Sequence, residues 1–104
     1  MPFIVGVNPT SLGRRKTFTY TTVGNTSEVA VSLSGIMLQA NKISLMMDLN
    51  DGYVEFDGVA STSSLLIPAG TGYEESACRI RSNITVINAA AGENCRLRGV
   101  LWGV

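Results

Sequence analysis

The sequence predicts an all-β, single-domain β-sandwich of about eight short antiparallel strands, jelly-roll-like in its connections. Three observations carry that expectation. β-Branched and Thr-rich segments with period-two alternation recur along the chain, Gly, Asn, Asp or Pro bounds each one, and no helix-period pattern of useful length interrupts them. Turn signals at roughly ten-residue spacing fit a sandwich better than alternating strand and helix units. With 104 residues, the chain reads as one domain, residues 1–104, without internal repeat or linker.

Residues 3–7 form the first apolar segment, stopped by Asn8-Pro9, and the loop after it carries Gly13, Arg14, Arg15 and Lys16. In residues 17–23, Phe18, Tyr20 and Thr22 share one face and the remaining threonines the other, the pattern of a half-buried strand. Gly24-Asn25-Thr26-Ser27 makes a turn, after which Val29, Val31 and Leu33 alternate with Glu28, Ala30 and Ser32; the two strands are expected to pair as a hairpin. Residues 35–39 are read as irregular. In residues 42–48, Ile43, Leu45 and Met47 line one face, and Asn50-Asp51-Gly52 is a strong hairpin-turn signal leading to residues 53–57, with Val54 and Phe56 inward. Residues 42–57 are therefore the clearest expected hairpin. The small polar run 58–64 is a loop, 65–67 a short strand ended by Pro68-Ala69-Gly70, and 73–82 an alternating strand carrying Arg79 and Arg81 on one face. Residues 83–89 and 95–104 complete the set, with a turn at 90–94.

Composition removes several functions. Charged residues make up 15% and hydrophobic ones 45%, which excludes intrinsic disorder. No His is present, so Ser-His-Asp and Cys-His nucleophile pairs, His-bearing zinc sites and His-held haem are ruled out. Eight basic and eight acidic residues balance, which leaves no overall footprint for nucleic acid or an anionic membrane. Apolar runs are far shorter than the roughly 18 residues of a spanning helix, and the opening lacks the basic and long apolar regions of a signal peptide. A domain of this size buries only about 60–65% of its unfolded surface. High apolar content without a disulfide framework therefore points to a homo-oligomer.

Cys78 and Cys95 are 17 positions apart, in neither a CxxC nor a four-ligand pattern. Two buried free thiols and a disulfide across neighbouring strands both remain open readings. Asp48, Asn50, Asp51 and Gly52 superficially suggest a calcium loop, but the EF-hand needs Gly at its sixth position and Glu at its twelfth, and Gly52 is fifth and Val59 twelfth. Glu55 and Asp57 are expected to point the same way and to join Asp48 or Asp51 in an acidic patch. No catalytic residue, cofactor or metal ligand is assigned: the chain is too small for a deep cleft besides a core, and neither thiol has a local base.

The candidate interface residues are basic. Arg14, Arg15 and Lys16 lie in the first loop; Arg79 with Arg81, and Arg96 with Arg98, have the i, i+2 spacing that sets both guanidinium groups on one strand face. If those strands are neighbours, the four arginines form one patch that pairs with Glu74, Glu75 or Glu93, or with carboxylates of a neighbouring chain. Trp102, in the final apolar segment, is a natural anchor for a neighbouring subunit.

The run Val54-Glu55-Phe56-Asp57-Gly58-Val59-Ala60-Ser61-Thr62-Ser63, then Leu66-Ile67-Pro68-Ala69-Gly70 and Arg98-Gly99-Val100-Leu101-Trp102-Gly103, resembles small structural proteins of tailed-bacteriophage virions. That resemblance covers roughly the C-terminal half and is one of style. It implies a non-enzymatic capsid decoration or cement protein, located on the virion and assembled in the host cytoplasm, with the major capsid protein or other virion proteins as partners. Alternatives are a neck or tail component, or a carbohydrate-binding sandwich whose stacking residues would be Tyr20, Tyr53, Tyr73 and Trp102.

Overall fold

In the computed structural model, residues 13–104 are described; the expected strand at 3–7 and the Asn8-Pro9 turn lie outside them. Eight strands follow in order: β1 (Arg14–Thr21), β2 (Glu28–Ser32), β3 (Ala40–Asp48), β4 (Gly52–Phe56), β5 (Leu65–Ile67), β6 (Thr71–Glu75), β7 (Asn83–Asn88) and β8 (Arg96–Gly103). Their antiparallel pairings nest: β1 with β8, β2 with β7, β3 with β6, β4 with β5. The chain thus behaves as one long hairpin whose tip is the β4–β5 connection. Rolling that hairpin adds the β3–β8 and β4–β7 pairs and yields two four-stranded sheets, β1-β8-β3-β6 and β2-β7-β4-β5. This is the double Greek key of a jelly roll, so the predicted fold class is the observed one. No helix among the described residues is long and apolar enough to cross a bilayer.

Alternation decides what lies between the sheets. Ile43, Leu45 and Met47 of β3 and Leu97 and Leu101 of β8 face Val54 of β4 and Ile84 and Val86 of β7, all essentially inaccessible to water. Each such side chain contributes about 1.5–3 kcal/mol on burial, which makes this layer the main stabilising term.

Both expected hairpins are corrected. β1 and β2 belong to different sheets, and so do β3 and β4. Period-two alternation shows which face of a strand is buried, and strands facing each other across a core satisfy it as well as strands lying side by side. At residues 49–51 the turn is a corner between sheets: Leu49 takes the left-handed conformation (φ 71°), and the Asn50 N–H donates to the Asp48 carbonyl. Gly52 does not supply a positive φ there. It opens β4 under Cys95 and Met47, where a Cβ would stand 2.7 Å from Sγ and 2.9 Å from Cε. The glycine read as a hairpin residue is instead a close-approach residue.

Two strand limits also move. β1 begins at Arg14, taking in the basic run expected in a loop, because β8 offers it partners in continuous register from Gly103 to Arg96. The expected strand 73–82 stops at Glu75; beyond it the backbone is irregular, touching β3 through a bridge in which Ile80 and Ala40 exchange N–H···O bonds.

Candidate functional site

The register places the basic residues on two ends of the molecule. Ala40, paired with Gly103 and bridged to Ile80, marks one end; Asp48, paired with Arg96, marks the other. Eight steps of β3 separate them, roughly 26 Å at the usual strand rise. The proposed four-arginine patch therefore does not form. Arg79 and Arg81 sit in the irregular segment at the first end, and Arg96 and Arg98 belong to the second.

Arg96 and Arg98 do share a strand face, as their spacing predicts, and they converge on one carboxylate. Arg96 Nε donates to Asp48 Oδ1 at 2.7 Å and Arg98 Nε to Oδ2 at 2.9 Å. The Arg96 guanidinium holds the Asp48 carboxyl below its ordinary range, with Arg98 adding to the effect, and Asp48 in turn raises the Arg96 pKa. The pair of arginines is thus answered within its own sheet.

At the other end, β1 and β3 flank β8 so that Arg15, Trp102 and Lys42 form one row across the outer face. Lys42 Nζ lies 4.9 Å from the Trp102 ring centroid, a cation–π contact. Sequence reasoning missed Lys42. Alternation sets it on the outer face of β3, but its meeting with Trp102 depends on a cross-strand register no local signal encodes. Arg14 and Lys16 lie on the opposite, inward face of the same strand, at its exposed beginning. Inward-pointing charges of this kind discourage indiscriminate pairing along an open edge strand.

The expected acidic patch is dispersed. Asp48 answers the arginines, and Asp51 Oδ1 accepts from the Ala69 N–H at 2.7 Å. Glu55 accepts from the Ser64 hydroxyl, while Asp57 accepts from the N–H groups of Arg81, Ser82 and Asn83. Partial burial pushes the Asp57 carboxyl up, but those three N–H donors outweigh it and the group lies below its ordinary pKa. Asp57 itself sits at φ 58°, a left-handed conformation that Asp tolerates better than most residues. Among the described residues no group of three or more His, Cys, Asp or Glu is arranged to hold a metal ion.

The four aromatic residues considered for sugar stacking do not share a surface. Tyr20 points inward and donates to Glu28 at 2.5 Å; Tyr73 also points inward, donates to Glu75 and stacks on Phe56 with centroids 6.3 Å apart. Tyr53 faces outward from the other sheet, and Trp102 lies beside Lys42. One open depression of about 630 Å³ crosses the β1-β8-β3-β6 sheet between Thr19, Arg98, Met46 and Glu74. Its lining comes from that sheet alone, which places it on the outer face.

The thiols are far apart as well. Cys95 is fully buried beside the Asp48 end, whereas half-buried Cys78 approaches the Ala40 carbonyl at the other. That separation exceeds several-fold the reach of a disulfide, so the pair within one chain is not bridged. Burial raises both thiol pKa values.

A buried polar hub organises the Asp48 end. Asn88 accepts from the Thr22 hydroxyl and the Cys95 N–H, and its amide donates to Gly24 O, Asn25 Oδ1 and Asn94 Oδ1. One side chain thereby ties the β1–β2 loop to the β7–β8 turn.

No protein-family model matches the chain, and no curated protein matches it. Among solved structures it is similar to a protein of Bacillus endospore appendages, described as a novel family of disulfide-linked pili. The TM-score is 0.51 at 11% sequence identity, covering 86% of this chain and 87% of that one. At that identity the likeness concerns the fold alone.

Proposed function

We propose that the protein is a non-enzymatic structural subunit that works as one of many copies in an assembly. The observation that carries the reading is where its apolar surface lies. Leu38, Val23 and Val59 are 83%, 82% and 76% exposed, and Leu49 is more than half exposed, all at loop positions. The polar side chains with chemical potential are by contrast committed to the fold: Asp57 to three backbone N–H groups, Asp48 to two arginines, Asn88 to its loops. Such a surface offers contact area and little chemistry.

The Bacillus neighbour supports a homopolymer, since its fold is that of a pilus protein. In a virion the same device would serve capsid decoration, the role implied by the resemblance to tailed-phage proteins, with many weak contacts adding on a lattice. Sedimentation and negative-stain microscopy of the purified full chain, over a range of concentrations, test the reading. Concentration-dependent polymers are expected, and a protein that stays monomeric throughout would sink the homopolymer. Pelleting of such a monomer with tailless capsids would move the assignment to decoration.

A further inference from the structure

The neutral chain is electrically polar along its strands. At the end marked by Ala40 and Gly103 lie Arg14, Arg15 and Lys16 of β1, Lys42 of β3, and Arg79 and Arg81 before β7. Glu75 and Asp57 are the carboxylates there, with Glu74 and Glu55 one position further inward, so six cations meet at most four acids. At the opposite end lie four carboxylates, Asp48, Asp51, Glu93 and Glu28, against two cations, Arg96 and Arg98, both of them bonded to Asp48. The connections at that end, residues 22–27, 49–51, 68–70 and 89–95, contain Asp51 and Glu93 and no Lys or Arg.

Apolar side chains follow the same division. Leu38 protrudes from the cationic end, and Val23 and Leu49 from the acidic one; Val59 lies between them, on a loop that the Ala60 N–H ties to Ser27. Beside Leu49 and Glu93 is an open cup of about 360 Å³ that also includes Ala69 and Ala90. Each end thus pairs exposed apolar surface with an excess of charge of one sign, and the two signs are opposite.

We infer that copies of this chain associate end to end, the cationic Leu38 end of one seating on the acidic Val23–Leu49 end of the next. This rests on the reading of the protein as an assembly subunit and specifies the contact. Because the two surfaces differ, the contact is heterologous and leaves a free end of each kind after every addition, which generates a linear polymer. Complementary charge sets polarity and encounter rate, and like ends repel. Apolar tips supply the non-directional attraction.

The test uses Glu93→Arg and the double variant Arg79→Glu/Arg81→Glu, with polymerisation followed by light scattering and sedimentation. Glu93 and Arg79 are exposed and the Arg81 side chain makes one long bond, to Gln39, while its charge supports Asp57, so native circular dichroism is expected in every variant, with a modest fall in melting temperature in the double variant alone. Each variant alone should raise the concentration needed for polymerisation by about tenfold or more, the effect of like-charge juxtaposition. An equimolar mixture should restore it, since the two intact ends pair as in the wild type and the two altered ends, with their charges exchanged, attract each other. Wild-type polymers should weaken as salt rises from 0.1 to 1 M, where the screening length falls from about 10 to about 3 Å. If the wild type polymerises while the variants match it, or if the mixture fails to restore what each variant lost, the end-to-end contact is wrong and the assembly reading stands. A wild type that never leaves the monomer overturns both.

Discussion

Replacing Asn88 by Ala removes the hub of the acidic end, and the structure allows the cost to be worked out. Three acceptor contacts are lost, to the Thr22 hydroxyl, the Cys95 N–H and the Cys95 thiol, along with the two amide hydrogens shared among three acceptors of the flanking loops. Asn25 and Asn94 are exposed, so water replaces much of what their side chains lose. Thr22 is 1% exposed and Cys95 0%, and water does not reach them. The Cys95 N–H keeps Thr22 Oγ1 at 3.0 Å and the Thr22 hydroxyl can turn to the Cys95 carbonyl at 3.3 Å, so at about 1 kcal/mol for each of about two bonds lost without replacement the cost is about 2 kcal/mol. For a domain of this size that lowers Tm by about 8–12 °C. Urea unfolding followed by Trp102 fluorescence measures the value, and a double-mutant cycle with Thr22→Val isolates the hydroxyl–amide coupling at about 1 kcal/mol. A change below about 0.5 kcal/mol for Asn88→Ala, or a cycle with no coupling, would refute the claim that this side chain holds the end together.

Other perturbations have equally definite outcomes. Because the folded pKa of Asp57 lies below its unfolded value, its contribution is full above the unfolded value of about 3.9 and is lost as pH falls through the folded pKa. The stability gap between wild type and Asp57→Asn should accordingly be largest near neutral pH and close in acid; a gap constant with pH excludes the carboxylate as its source. Gly52→Ala must displace Cys95 and Met47 side chains and should cost about 1–3 kcal/mol by chemical denaturation, with a neutral result contradicting the close packing at that corner. Thiol titration of the native protein should label Cys78 slowly and Cys95 only on unfolding. Any disulfide formed on oxidation should join two chains through Cys78 and vanish in Cys78→Ser.

Much of the candidate surface was legible residue by residue, and little of it as an arrangement. The i, i+2 spacing of Arg96 and Arg98 correctly implied one strand face, and their common partner was Asp48 at the end of β3, a residue grouped by sequence with acids it never meets. The same spacing failed for Arg79 and Arg81 because their segment leaves the sheet at Glu75. Lys42 acquired a role only when β8 set Trp102 beside it.

By itself the sequence determined the fold class, the burial faces of β1, β3 and β4 and the absence of histidine chemistry, because side-chain alternation and composition are local properties that every neighbouring residue reports; in β2 a bulge between Val29 and Val31 turns Val29 outward. Tertiary structure alone decided which strands are neighbours: β1 pairs with β8 rather than β2, and β3 with β8 and β6 rather than β4. A strand's apolar face is satisfied by any other apolar face, so the choice among partners falls to the packing of the whole core. That choice also gathers six of the eight positive charges at one end and four of the eight negative ones at the other, a polarity invisible in a neutral total.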